Sequence, residues 1–134
     1  MSGGVSRARG REVAETILVV EDEPELRSSM RALIESEGYR VLTAADGDDA
    51  VRIYREHASR IRLVVSDLQM PRLSGWDTFL RIRQCDSSAR VILASGHVEP
   101  KRRAEMTAAG VKAYLTKPIR PDEMIRTIRR VLES

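Results

Sequence analysis

The amino-acid sequence predicts a doubly wound α/β domain, a five-stranded parallel sheet with helices on both faces. Two observations lead there. Five short apolar runs alternate with five stripes of helical period along the chain. The runs are also apolar at successive positions, as in Ile17-Leu18-Val19-Val20, Leu63-Val64-Val65 and Val91-Ile92-Leu93-Ala94. A sheet with one wet face would alternate polar and apolar residues, so these strands are covered on both sides.

Taken in order, Thr16–Val20 reads as a buried strand. Pro24 suits a first helical turn, and Leu26, Met30, Leu33 and Ile34 form one stripe that Gly38 ends. Tyr39–Ala44 is a shorter second strand. Asp46 then caps a helix carrying Ala50, Val51 and Tyr54, with His57 as a favourable charge at its end. Ile61–Ser66 is the third strand. A loop with Pro71 and Gly75 leads to a helix bearing Trp76, Phe79, Leu80 and Ile82, with Trp76 read as a packing residue. Arg90–Ser95 is the fourth strand, and Glu99–Ala109 a weakly apolar helix stopped by Gly110. Val111–Thr116 is the fifth strand. Met124, Ile125, Ile128, Val131 and Leu132 mark the last helix. The 134 residues fit one domain, 16–134, behind a flexible tail, 1–15.

Composition narrows the class. Hydrophobic residues make up 42% of the chain, which argues against disorder; aromatics are only 4%, so aliphatic side chains must fill the interior. The net charge is +3 and spread along the chain, which gives a solvated surface rather than a nucleic-acid footprint. Cys85 stands alone, so there is no internal disulfide, and a reducing, cytoplasmic setting is expected. No apolar run approaches the ~20 residues of a membrane span. The segment before Glu15 lacks the apolar centre of a signal peptide.

The chemistry lies where the apolar runs stop. Glu21-Asp22-Glu23 follows the first, Asp67 the third, Ser95 the fourth and Lys117 the fifth. In a parallel sheet these ends share one edge, where open α/β folds bind ligands. Hard carboxylate oxygens crowded there suit Mg²⁺, with Asp22 and Asp67 as ligands and Glu21 or Glu23 on a bound water. Each acid alone could merely favour the helix starting near Pro24. The set with Ser95 and Lys117 is not explained that way. A carboxylate, an ammonium and a metal together handle phosphoryl groups by position and charge, with Asp67 as nucleophile.

The segments ILVVEDEPELR, VVSDLQMPRLSGWD, VILASGH and AGVKAYLTKP stand in the order and spacing of a known family. From Thr16 to about Leu132 the chain resembles the response regulator receiver domain of two-component signalling. The resemblance implies a flavodoxin-like (βα)5 fold with strand order 2-1-3-4-5. It implies that Asp67 is the phospho-acceptor and that Glu21 and Asp22 form the acidic pair for Mg²⁺. The main-chain carbonyl of Gln69 would be a third protein ligand. Ser95 would supply the hydroxyl and Lys117 the amine that meet the phosphoryl oxygens, and Tyr114 would be the switch aromatic. The Lys117–Pro118 bond would be cis. The implied donor is a histidine kinase or histidine phosphotransferase. The implied output is a protein target, or a phosphorylation-dependent homodimer, on the face of the fourth helix, fifth strand and fifth helix. Neither nucleic acid nor membrane is an expected direct partner.

Three positions depart from the commoner pattern: Glu21 where many members have Asp, Ser95 for Thr, and Gly96 for Ala. All keep the chemistry and bear on the lifetime of the phosphorylated state. His97 reads as a surface loop residue at the mouth of the site, with action on the attacking water as the sharper reading. Lys101-Arg102-Arg103, Arg126, Arg129 and Arg130 read as solvated faces, with a basic docking surface second. Cys85 reads as a plain helix-end residue.

Among function classes, a phospho-switch is favoured. An aspartyl-phosphate hydrolase would need a cap insertion, and no connection is long enough. A constitutive interaction module would be expected to lose Asp67, Asp22 or Lys117, and all three are present. The chain is thus not expected to be an enzyme beyond its own phosphorylation and dephosphorylation. Met1 and the short tail suggest a stand-alone protein; ETILVVEDE and VILASGH resemble receivers fused behind hybrid histidine kinases.

Overall fold

The computed structural model describes residues 15–134, so the expected tail lies outside the described residues except for Glu15. Five strands and five helices alternate: β1 (Thr16–Val20), α1 (Pro24–Ser36), β2 (Arg40–Ala44), α2 (Gly47–His57), β3 (Ile61–Asp67), α3 (Gly75–Cys85), β4 (Val91–Ser95), α4 (Pro100–Ala109), β5 (Ala113–Thr116) and α5 (Pro121–Glu133). All strand pairs are parallel, in the spatial order β2-β1-β3-β4-β5, as expected. This is the flavodoxin-like arrangement.

The pleat sorts the strand residues between two cores. Ile17 and Val19 face α1 and α5, joining Met30, Ile34, Met124, Ile125, Ile128 and Val131. Leu18 and Val20 face the other way, with Tyr54, Phe79, Ile82 and Met106 from α2, α3 and α4. Every β1 residue is buried, as two-sided cover requires.

Local signals fall where the sequence puts them. Asp46 accepts the Asp49 N–H at 2.8 Å and caps α2. Ser74 caps α3 through the Asp77 N–H at 3.1 Å. Gly38 and Gly110, just beyond α1 and α4, have φ of 97° and 122°. The Lys117–Pro118 peptide is cis. Trp76 stacks on Phe79 with ring centroids 5.3 Å apart.

Two sequence readings need correction. The helical period puts Leu80 on the buried stripe of α3, yet it is 39% exposed; the inward positions are Thr78, Phe79 and Ile82. The fifth strand starts at Ala113 rather than Val111, because the Val111 N–H closes the end of α4 on the Met106 carbonyl (3.1 Å). Among the described residues no helix is long and apolar enough to cross a membrane.

Candidate functional site at the carboxyl edge of the sheet

Four strands deliver the polar residues to one edge. Asp67 is the last residue of β3 and lies beside Ala94 of β4; Ser95 follows, beside Thr116 of β5, and Lys117 comes next. The Lys117 N–H donates to the Ser95 carbonyl at 2.9 Å, tying these two together through the backbone. From β1 come Glu21 and Asp22. Sheet register alone, fixed by the apolar core, therefore sets the relative heights of the candidate residues.

The carboxylates converge. One oxygen each from Glu21, Asp22 and Asp67 lies within 4.8 Å of the others, a spacing at which a shared cation fits. Lys117 Nζ donates to Asp67 Oδ2 at 2.9 Å and to Glu21 Oε1 at 3.3 Å. Exposure separates the acids: the Glu21 and Asp67 side chains are 3% and 7% exposed, while Asp22 is exposed. Burial pushes the Glu21 carboxyl above its ordinary pKa, against the Glu23 N–H and the Lys117 charge, which favour the carboxylate. Burial also disfavours the Lys117 ammonium, yet Asp67 and Glu21 outweigh it and hold its pKa above the usual lysine range. A half-buried cation with two carboxylate partners is thus held charged and in place.

Other candidates take less central positions. Glu23 begins α1, exposed, and its N–H donates to Glu21 Oε2 at 3.1 Å. Gln69 is exposed just beyond β3, its N–H 3.3 Å from Asp67 Oδ1. The Ser95 hydroxyl donates to the His97 carbonyl at 3.2 Å, and His97 is exposed at the rim. Tyr114 lies farther off, half-buried against α4. Its hydroxyl donates to the Arg103 carbonyl at 3.1 Å and meets Thr107 Oγ1 at 3.0 Å, while the Arg103 guanidinium covers its ring at 4.5 Å. A cavity of about 190 Å³ separates Tyr114 from Ser95, bordered by Leu93, Val98 and Leu115.

Two residues that shape the site were not read from the sequence. Arg27 on α1 donates from Nη1 to the Glu21 carbonyl at 2.8 Å, fixing the turn that carries the acids. Gly75 packs so close to the end of β3 that a Cβ there would overlap the Asp67 carbonyl. Both fall inside the segments that carry the resemblance, yet neither has a role that those segments announce. Arg27 is one arginine among many, and a glycine opening a helix signals a turn, not a close approach.

Comparison with known proteins points to one family. Residues 17–129 match the family model described as response regulator receiver domain. The chemotaxis protein CheY of Bacillus subtilis is 30% identical over 121 residues, covering 90% of this chain and 99% of that protein. The sensor kinase CckA of Brucella abortus is 30% identical over 130 residues, 97% of this chain but 14% of the kinase. A solved complex of CheX and CheY with BeF3 and Mg²⁺ from Borrelia burgdorferi superposes with a TM-score of 0.83 at 28% identity, covering 87% of this chain and 88% of that one. The chain spans about half or less of the transcriptional regulators it matches, 48% of one and 26% of another. A match over nearly the whole α/β unit, with the acids, hydroxyl and lysine all at one edge, makes this chain a member of the response regulator receiver domain family.

Proposed function

We propose that the chain is a phospho-accepting switch in which Asp67 takes a phosphoryl group from a phosphohistidine of a histidine kinase or phosphotransferase. Receiver domains are signalling modules that bind Mg²⁺ at an acidic pocket and work with such kinases and with downstream targets. The observation that carries the assignment to Asp67 is its position: buried at a strand end, 2.9 Å from Lys117, within 4.8 Å of two other carboxylates. The solved CheY complex with BeF3 and Mg²⁺ supports it by likeness.

In the proposed step an Asp67 oxygen attacks phosphorus. A P–O bond forms as the donor's P–N bond breaks, and the imidazole leaves with the electron pair. Asp22, Asp67 and the Gln69 carbonyl would hold Mg²⁺, with Glu21 acting through a bound water. The ion would supply charge neutralisation at the phosphoryl oxygens. Lys117 is already held among the acids and needs only a short shift to pair with the new oxygens. The Ser95 hydroxyl exchanges its His97 carbonyl partner for a phosphoryl oxygen, a stronger acceptor. That motion opens toward the cavity beside Tyr114, whose ring can turn into it and release α4. The responding helix α4 carries exposed Lys101, Arg102 and Arg103 and suits an acidic partner.

Likeness to CheY supports a stand-alone, cytoplasmic response regulator, and likeness to CckA supports the receiver of a hybrid kinase. Phosphotransfer profiling against the kinases of the source organism separates them by the preferred donor. The assignment itself is tested with acetyl phosphate and Mg²⁺. The protein should gain one phosphoryl mass, and Asp67→Asn should gain none; full labelling of the variant removes Asp67 from the role.

A further inference from the structure

At the opposite, amino edge of the sheet lies a cavity of about 640 Å³ lined by Glu15, Thr16, Arg40, Leu42, His57, Ser59, Arg60 and Arg62. We infer that it binds a small phosphate-bearing anion with at least two phosphoryl groups, at a site separate from the acidic edge.

Four elements aim polar groups at this space. Arg40 opens β2 and lies beside Thr16 of β1 in register. Ser59 and Arg60 come from the turn after α2, whose last residue is His57. Arg62 is placed by an irregularity: Thr16 and Ile17 are consecutive in β1 but pair with Ile61 and Leu63 in β3, leaving Arg62 as the extra residue of a bulge. Bulges re-aim a side chain and gather near functional sites. The floor holds a second signal. Thr16 is only 7% exposed, and among the described residues its hydroxyl has no hydrogen-bond partner. A buried hydroxyl lining a cavity is well placed to donate to the oxygen of a bound anion.

Charge selects the occupant. Three guanidiniums face one carboxylate, Glu15, which pairs with Arg62 at 3.6 Å. Arg40 and Arg60 have no ion pair among the described residues. The carbonyl end of α2 opposes an anion with only about half a charge. Guanidinium forks match phosphate oxygens in bidentate fashion, and the volume lies in the roughly 300–1,000 Å³ range of small-ligand sites.

The test is an NMR titration of the full chain with pyrophosphate and, separately, ADP, both in EDTA so that no divalent metal is available to the acidic edge. Amide shifts should move at Thr16, Leu42, Ser59 and Arg62 and stay fixed at Asp67, Gln69 and Ser95. Arg40→Gln with Arg60→Gln should weaken pyrophosphate roughly tenfold or more, about 1.4 kcal/mol. Arg102→Gln with Arg130→Gln removes the same charge elsewhere and should leave affinity unchanged. ADP binding tighter than or equal to pyrophosphate upholds the inference, the first showing that the nucleoside is also read. Absence of shifts up to millimolar pyrophosphate, shifts centred on the acidic edge, or equal weakening in both double variants overturns it.

Discussion

Helices α4 and α5 flank the same edge strand, present bases to solvent and have similar lengths, yet they are held differently. Helix α5 buries Met124, Ile125, Thr127, Ile128 and Val131; α4 buries Met106 alone. Much of what remains to fix α4 is polar: the Tyr114 hydroxyl on Thr107 and the Arg103 carbonyl, and the Arg103 guanidinium on the Tyr114 ring. An element with few buried apolar contacts has a low local opening free energy, and elements that move are drawn from that class. The two helices thus divide the work. One anchors β5, and the other is the helix that the proposed switch would move.

The largest expected effect attacks the anchor. Ile128→Ala should cost about 2–5 kcal/mol of global stability in urea unfolding, since Ile128 is fully buried. Arg102→Ala on exposed α4 should stay within about 0.5 kcal/mol. Similar costs for the two would erase the contrast.

A smaller effect should fall on α4 alone. Tyr114→Phe removes the hydroxyl that holds Arg103 and Thr107, a loss of about 1 kcal/mol. Amide exchange should quicken in α4 and stay unchanged in α5. Uniform quickening in both helices would mean that Tyr114 supports the whole fold and not α4 in particular.

The smallest effect sharpens the comparison with a region that should not move. On the far side, Tyr54 donates to Asp86 Oδ2 at 2.7 Å, pinning α2 to the end of α3. The Ser88 hydroxyl and Tyr54 hold the Asp86 carboxyl below its ordinary pKa. A depressed acid contributes stability above its unfolded value of 3.8 and loses it as pH falls through the lower folded value. Asp86→Asn should therefore be less stable than wild type at neutral pH, with the gap closing below about pH 3.8. A gap that persists in acid would assign the loss to packing instead of charge.

The elements and acidic edge were legible because they rest on short-range signals. Asp46, Gly38 and Gly110 mark helix ends by local chemistry, and the strand-end positions of Asp67, Ser95 and Lys117 follow from apolar runs that stop abruptly. The misses are tertiary. Leu80 looks like core until packing shows which side of α3 faces inward. Gly75 owes its role to Asp67, and Arg27 to the Glu21 carbonyl, contacts that no spacing announces. The amino-edge cavity gathers Thr16, Arg40 and Arg62 from three strands, so only sheet order brings them together. Relative burial was also out of reach: three neighbouring acids look alike in sequence, yet Glu21 is buried and Asp22 and Glu23 are not.

The central claim is that charge added at Asp67 is felt at α4 and not at α5. Amide hydrogen exchange with and without beryllofluoride and Mg²⁺ tests it directly, in wild type and in Asp67→Asn. Exchange at residues 96–116 should change on activation while residues 121–133 hold steady, and the variant should show neither change. Unaltered exchange at 96–116 in the activated wild-type protein, or the same response in Asp67→Asn, would contradict the account.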